Sequence, residues 1–150
     1  MSQPTYSRFV TTALYNRDIL RLAASIPHQR RLDRPQASVE KSSPVCGSRV
    51  VVDIVLDEQG RVAVLGQEVK ACALGQASAA LMGANAVGRD PIELAQARDA
   101  LAAFLAGERA DPGEWPGLAI LGGARPYRAR HRSILLAFEA AAEAAARAAA

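Results

Sequence analysis

Both cysteines and one of the two histidines in this 150-residue chain stand in settings suited to metal or sulfur chemistry: Cys46, Cys72 and His131. Cys46 stands in Pro44-Val-Cys-Gly-Ser48, whose proline and glycine mark a tight loop. Loops lie on the surface, and Gly47 lets the backbone approach a ligand closely. Cys72 falls where a strand pattern gives way to a helical one, at or just before a helix N-terminus. Unpaired N–H groups and the dipole favour an anion there, and thiolates at such ends have lowered pKa values. The plain alternative for either cysteine is a small buried hydrophobe. Their separation of 26 positions matches no compact metal-ligand spacing. His131 opens the last helical pattern, where in the bland case it caps the helix or faces solvent. Arg125, Arg128, Arg130 and Arg132 crowd the same helix start, where the macrodipole disfavours cations. That crowding fits an anionic partner (thiolates, phosphate, a cluster or a carboxylate), or else a solvated basic loop.

These residues need elements to hold them. Tyr15, Ile19, Leu22 and Ile26, spaced by 4, 3 and 4, share one face of a helix over Leu14–Ile26 that Pro27 stops. Residues 1–12 carry no pattern and are expected to be mobile, and residues 28–35 read as an Arg-rich loop. Three strands follow, around Gln36–Lys41, Arg49–Asp57 and Arg61–Lys70. The second and third flank Asp57-Glu-Gln-Gly60 and form an antiparallel hairpin. Between the first and second lies the Cys46 loop. After Lys70 the period becomes helical over Ala71–Val87, with Gly88 as the C′ residue. Asp90-Pro-Ile-Glu93 has the acidic N-cap, the proline at N1 and the Glu at N3 of a helix start. That helix runs to about Ala106. Trp115-Pro-Gly117 leads into a short apolar segment, Leu118–Leu121, and a last helix runs from near Arg130 to the end. Glu139, Glu143 and Arg147 follow at i,i+4 steps on its exposed stripe. Strands followed by helices predict a single α+β domain over residues 1–150, a three-stranded antiparallel sheet with helices packed on one face.

Composition narrows the function classes. Half the residues are apolar, but 32 are alanine and only 5% are aromatic, which excludes an aromatic-rich β-sandwich. Two cysteines are not a disulfide scaffold. A net charge of +3 is too small to imply nucleic acid without a patch. No 18-residue apolar run exists, and the N-terminus lacks the basic-then-apolar order of a signal peptide. The chain therefore reads as cytoplasmic, with reduced thiols and no membrane contact. It carries no Gly-x-Ser-x-Gly, no phosphate-binding loop and no carboxylate pair placed for acid–base work, so no enzyme activity is expected.

Together these segments resemble the iron–sulfur cluster scaffold family of the NifU N-terminal domain type, which includes IscU and SufU. Leu14-Tyr15-Asn16, with Ile19-Leu20 following, is similar to that family's opening helix. Pro44-Val-Cys-Gly-Ser48 resembles its Pro-x-Cys-Gly-Asp loop. Cys72-Ala-Leu-Gly-Gln-Ala-Ser-Ala-Ala-Leu81 resembles its second motif, Gly88-Arg89-Asp90 its break before the next helix, and His131-Arg-Ser-Ile-Leu135 its His-Cys-Ser-x-Leu. The likeness spans roughly residues 13–145. It departs at three places: Arg132 stands at the third cysteine, Ser48 stands at the Asp that influences cluster lability, and Ala124-Arg-Pro-Tyr-Arg128 replaces the chaperone-recruiting Leu-Pro-Pro-Val-Lys.

The resemblance implies a scaffold that binds an iron–sulfur cluster, iron or zinc through Cys46, Cys72 and His131, with Gly47, Ser48 and Arg132 beside it. Two thiolates and one imidazole fill three tetrahedral positions and suit zinc or iron. Arg132 cannot ligate. It would repel a bare divalent cation, but it would attract a thiolate-ligated cluster. The implied partners are a cysteine desulfurase and cluster-acceptor proteins, and the implied state is a monomer or a cluster-bridged dimer. Two other readings stand beside this one. Cys46 could accept persulfide with no metal bound, or the chain could be a degenerate, metal-free module that docks an assembly partner.

Overall fold

A computed structural model describes residues 15–150, so the expectation of mobility for residues 1–12 lies outside the described residues. The order of elements is helix, three strands, then helices, as the sequence predicts. Helix α1 spans Arg17–Ala23, shorter than the expected Leu14–Ile26. Its start is set by Asn16, whose side chain accepts the Ile19 N–H at 3.0 Å. Strand β1 (Ala37–Ser43) runs two residues past its predicted end, because Ser42 and Ser43 pair with Arg49 and Ser48 of β2 (Ser48–Leu56). Strand β3 (Val62–Lys70) completes an antiparallel sheet of order β1-β2-β3.

Helix α2 (Ala73–Asn85) begins directly after Cys72, which is its N-cap residue. Helix α3 (Pro91–Leu105) starts on the predicted capping box. Glu93 N–H donates to Asp90 Oδ1 at 2.8 Å, and Asp90 N–H to Glu93 Oε1 at 3.1 Å. The apolar segment at 118 is a 3-10 helix, Leu118–Ala124, and a second short one, Arg128–Arg130, runs straight into helix α4 (His131–Ala149).

Helix α4 is the centre of the molecule. It packs against β1, β2, α2 and α3 together. Its alanine-rich tail is core: Ala140, Ala141, Ala142, Ala144 and Ala145 are buried beside Phe138 and Leu136. A helix enclosed on so many sides needs small residues wherever a neighbour comes close. The expected exposed stripe is corrected on the same ground. Glu139 and Glu143 are half-buried and paired, Glu139 with Arg132 of the same helix and Glu143 with Lys41 of β1 at 3.2 Å as well as with Arg147 at 3.1 Å.

On the helix-covered face of the sheet, Val39, Val52 and Gln67 form one row and Ala37, Ile54 and Leu65 the next. The opposite face is not left to solvent, because residues 30–32 lie across the row Ser38–Asp53–Gly66. Buried Asp53 accepts the Leu32 N–H at 2.9 Å, Arg31 Nε at 2.8 Å and the Ser38 hydroxyl at 2.5 Å. Any side chain at Gly66 would run into the Arg30 carbonyl and Leu32. Burial pushes the Asp53 carboxyl up, but the bonds from Arg31, Ser38 and Leu32 and the Arg31 charge outweigh it and hold the group below its ordinary value.

Asp53→Ala would orphan the Arg31 and Leu32 donors, and we expect a loss of about 2–4 kcal/mol in denaturant unfolding. Because the folded carboxyl is depressed, its contribution is present above about pH 4 and fades as pH falls toward the folded value. The wild-type advantage over Asp53→Asn should shrink correspondingly in acid. An advantage that grew below pH 4 would contradict the assignment.

Candidate functional site

The β1–β2 turn is a four-residue loop, residues 44–47, closed by Gly47 N–H donating to the Ser43 carbonyl at 2.8 Å. Gly47 has φ +73°, a left-handed conformation that glycine adopts without strain. A Cβ there would meet nothing within 4 Å, so the residue's visible role is to shape the turn. The loop lifts Cys46 into solvent. Beneath it lie the buried hydroxyls of Ser43 and Ser48.

Those hydroxyls connect the two cysteines. Cys46 Sγ–H donates to Ser48 Oγ at 3.3 Å, and Ser48 Oγ lies 3.0 Å from Ser133 Oγ. Ser133 Oγ in turn lies 3.3 Å from Cys72 Sγ. Each hydroxyl can donate once and accept twice, so Cys46, Ser48, Ser133 and Cys72 form one hydrogen-bonded chain. Three segments meet in it: the Cys46 loop, the start of α2 and the first turn of α4. The Ser43 hydroxyl, then the Ser48 hydroxyl and its backbone N–H, stabilise the Cys46 thiolate and bring its pKa down to about 7. At that value a large fraction of Cys46 is nucleophilic near neutrality.

His131 is the first residue of α4. Its Nε2 lies 3.0 Å from the carbonyl oxygens of both Ala124 and Arg125. Carbonyls only accept, so Nε2 carries the proton and Nδ1 of the neutral ring has the free lone pair. A ring nitrogen held by a carbonyl while the other stays available is the usual orientation of a ligating histidine. Among the described residues, however, no three His, Cys, Asp or Glu side chains already stand close enough to share an ion.

Arg132 does not reach along this chain of hydroxyls. It pairs with Glu139 further down α4. Arg125 is also engaged within the fold, donating to the carbonyls of Phe104 and Arg109 and lying over the Phe104 ring. The four-arginine cluster is thus only partly free. An open cleft of about 590 Å³ beside α3, lined by Arg89, Glu93 and Trp115 among others, contains neither cysteine.

Sequence reasoning missed Ser133 and Ser43. Ser133 lies two residues past His131 in the third motif, and its spacing gives no sign that it touches both cysteine segments. Gly75 is an indirect signal. A Cβ there would sit 2.6 Å from Ser133 Oγ and 2.8 Å from Ala71 Cβ, so only glycine lets α4 come this close to α2.

A solved NifU-like protein (N-terminal) from Brucella abortus is 35% identical, with 93% of this chain and 97% of that one covered and a TM-score of 0.86. The chain belongs to the NifU-like N-terminal domain family. A candidate iron–sulfur cluster assembly scaffold for the SUF system, from Fervidobacterium islandicum AW-1, shares the fold at 17% identity. Its TM-score is 0.82, with 90% of this chain and 98% of that one covered. A hypothetical protein at 22% identity, with 90% and 98% covered, shares the fold with a TM-score of 0.70. No protein-family model and no curated protein matches the sequence. Membership in the NifU-like family and the α+β architecture with helices on one face agree with the sequence reading.

Two outcomes follow from the geometry. Alkylation of Cys46, followed by peptide mass spectrometry, should rise through a midpoint near pH 7, and Ser43→Ala with Ser48→Ala should move that midpoint up. An unchanged midpoint would exclude the hydroxyls as its cause. Gly75→Ala should cost about 1–3 kcal/mol through overpacking, and in a crystal structure Ser133 should be displaced from Cys72.

Proposed function

We propose that this NifU-like domain is a scaffold for iron–sulfur cluster assembly, and that Cys46, Cys72 and His131 hold the cargo. One observation carries the reading. Two cysteines 26 positions apart meet on a single hydroxyl chain, in a protein 35% identical to a NifU-like N-terminal domain. The scaffold named for the SUF system is a second support, from a chain of the same fold. No chemical step is assigned to an acid or base of this chain, and the role is binding, not turnover.

The donor set fits a thiophilic cargo. Two thiolates and the free Nδ1 of His131 supply three positions, leaving one for water, a second copy of the chain or a partner's group. Loading closes the exposed Cys46 loop toward Cys72 and the imidazole. Gly47 gives that loop its turn, and Ser48 offers a hydroxyl to the cargo's thiolates. Arg132 is paired with Glu139 and turned away from the thiols, so it does not repel iron or zinc ions arriving before sulfide. The cargo is a cluster or iron in this reading, and zinc is an outcome of the test. The partners follow from the role: a cysteine desulfurase and apo-proteins that receive the cluster, with the chain a monomer or a cluster-bridged dimer in the cytoplasm. No helix among the described residues is long and apolar enough to cross a membrane.

A second reading is favoured by the exposure of Cys46 and its pKa of about 7. The Cys46 thiolate would attack the terminal sulfur of a donor persulfide, forming Cys46–S–SH and releasing the donor's thiolate. No oxidant is needed, and no metal takes part.

Anaerobic reconstitution with ferrous iron and sulfide separates the readings. The scaffold should develop the visible absorbance of a bridged cluster with stoichiometric iron, and Cys46→Ala, Cys72→Ala and His131→Ala should each reduce the yield severalfold. A colourless protein that gains a single persulfide on Cys46 would favour the second reading. Stoichiometric zinc in freshly purified protein, displaced by neither iron nor sulfide, would overturn the cluster assignment.

A further inference from the structure

The 15 carboxylates are distributed unevenly. Residues 41–52, 69–89 and 115–138 are among the stretches that contain none. These are the segments that supply Cys46 with Ser48, Cys72, and His131 with Ser133. The segments that carry the thiols and His131 thus bring no acidic side chain of their own, and Glu40, Glu68, Glu139 and Glu143 beside them are each paired with a basic group. Elsewhere eight arginines of the described residues are matched to carboxylates. Arg128 and Arg130 are not. Both are exposed, and neither makes an ion pair or side-chain hydrogen bond among the described residues.

Their position follows from the hydroxyl chain. Ser133 touches Ser48 and Cys72, and Arg130 precedes it by three residues, about 5 Å along a helix axis. Arg128 is one short 3-10 turn further out. Next to Cys46 on the same loop, Val45 is 96% exposed. An apolar side chain held in solvent beside a reactive group is suited to burial in a partner's pocket. A nucleic acid would gain little from it.

We propose that this end of the molecule docks an acidic polypeptide segment, held electrostatically by Arg128 and Arg130 and seated on Val45, which brings its own sulfur group to Cys46. The inference names the chemistry of the partner in the function proposed above and rests on that reading. Its test involves no metal or sulfide. Failed reconstitution would leave the test's outcome untouched, and a failed test would leave cargo binding standing.

The probe is a decapeptide of Glu and Asp ending in a cysteine activated as a pyridyl disulfide, compared with its all-lysine counterpart at one pH. Cys46 thiolate attacks the peptide's sulfur, the S–S bond breaks and thiopyridone leaves, so release is read by absorbance and the adduct is located by mass spectrometry. At low salt the acidic probe should react about 10-fold or more faster than the basic one, in the range of electrostatic steering. The ratio of the two rates cancels any change in thiol reactivity. Arg130→Glu, and more strongly Arg128→Glu with Arg130→Glu, should collapse that ratio, as should added salt. Arg147→Glu makes the same change in net charge about 25 Å further along the helix and should leave the ratio nearly intact. Val45→Ser should slow the acidic probe less than charge reversal does. A ratio near one, or equal loss from Arg130→Glu and Arg147→Glu, would overturn the proposal. Protection of Cys46 by a single-stranded oligodeoxynucleotide as effective as that by unactivated acidic peptide would overturn the choice of a polypeptide.

Discussion

The contact between the Ser48 and Ser133 hydroxyls, 3.0 Å apart, is the constraint on which the site depends. It joins the tip of the β1–β2 hairpin to the first turn of the last helix. From Ser133 the same chain of bonds passes to Cys72 at the start of α2. Remove this junction and each cysteine is an isolated thiol on its own element. Keep it, and two groups far apart in sequence belong to one place. Gly75 shows how closely the junction is packed, since one methyl group there would meet Ser133 directly.

The body of the fold serves to hold that junction. Helix α4 reaches the site only because it runs through the middle of the molecule, between the sheet and two other helices. Alanine makes this possible, because a bulkier ring around α4 would push its neighbours away and carry Ser133 with them. On the other side, Asp53 fixes the segment after α1 across the open face of the sheet. Trp115 closes the far end, donating to the Leu81 carbonyl at 2.9 Å and standing edge-on to Phe138. The cysteine end is left as a polar surface of an otherwise tightly packed domain.

Much of this was legible in the sequence, and the parts that were not share a cause. Val50, Val52 and Ile54 announce β2, Asp57-Glu-Gln-Gly60 announces its turn, and Asp90-Pro-Ile-Glu93 announces α3, because local physics decides each. Apolar spacing alone overextends helix α1 at both ends, and the Asn16 cap accounts for its start. Cys46 on a loop and Cys72 at a helix start follow from neighbouring residues alone. What spacing cannot report is contact between distant segments. Ser133 meeting Ser48 and Glu143 meeting Lys41 both depend on how the elements stack. The Glu139–Glu143–Arg147 series looked like a solvated stripe for the same reason. The arginine cluster at 125–132 mixed two kinds of residue that only the fold separates, those engaged with carbonyls or a carboxylate and those free to meet a partner.

The central claim is that Cys46, Cys72 and His131 form one site for a thiophilic cargo. Iron K-edge X-ray absorption on the anaerobically reconstituted full chain tests it most directly. The account predicts a sulfur-dominated first shell with a minor nitrogen component, an iron–iron scattering path, and loss of the nitrogen component in His131→Ala. An iron shell of oxygen and nitrogen alone, unchanged when Cys46 and Cys72 are both replaced by alanine, would contradict it.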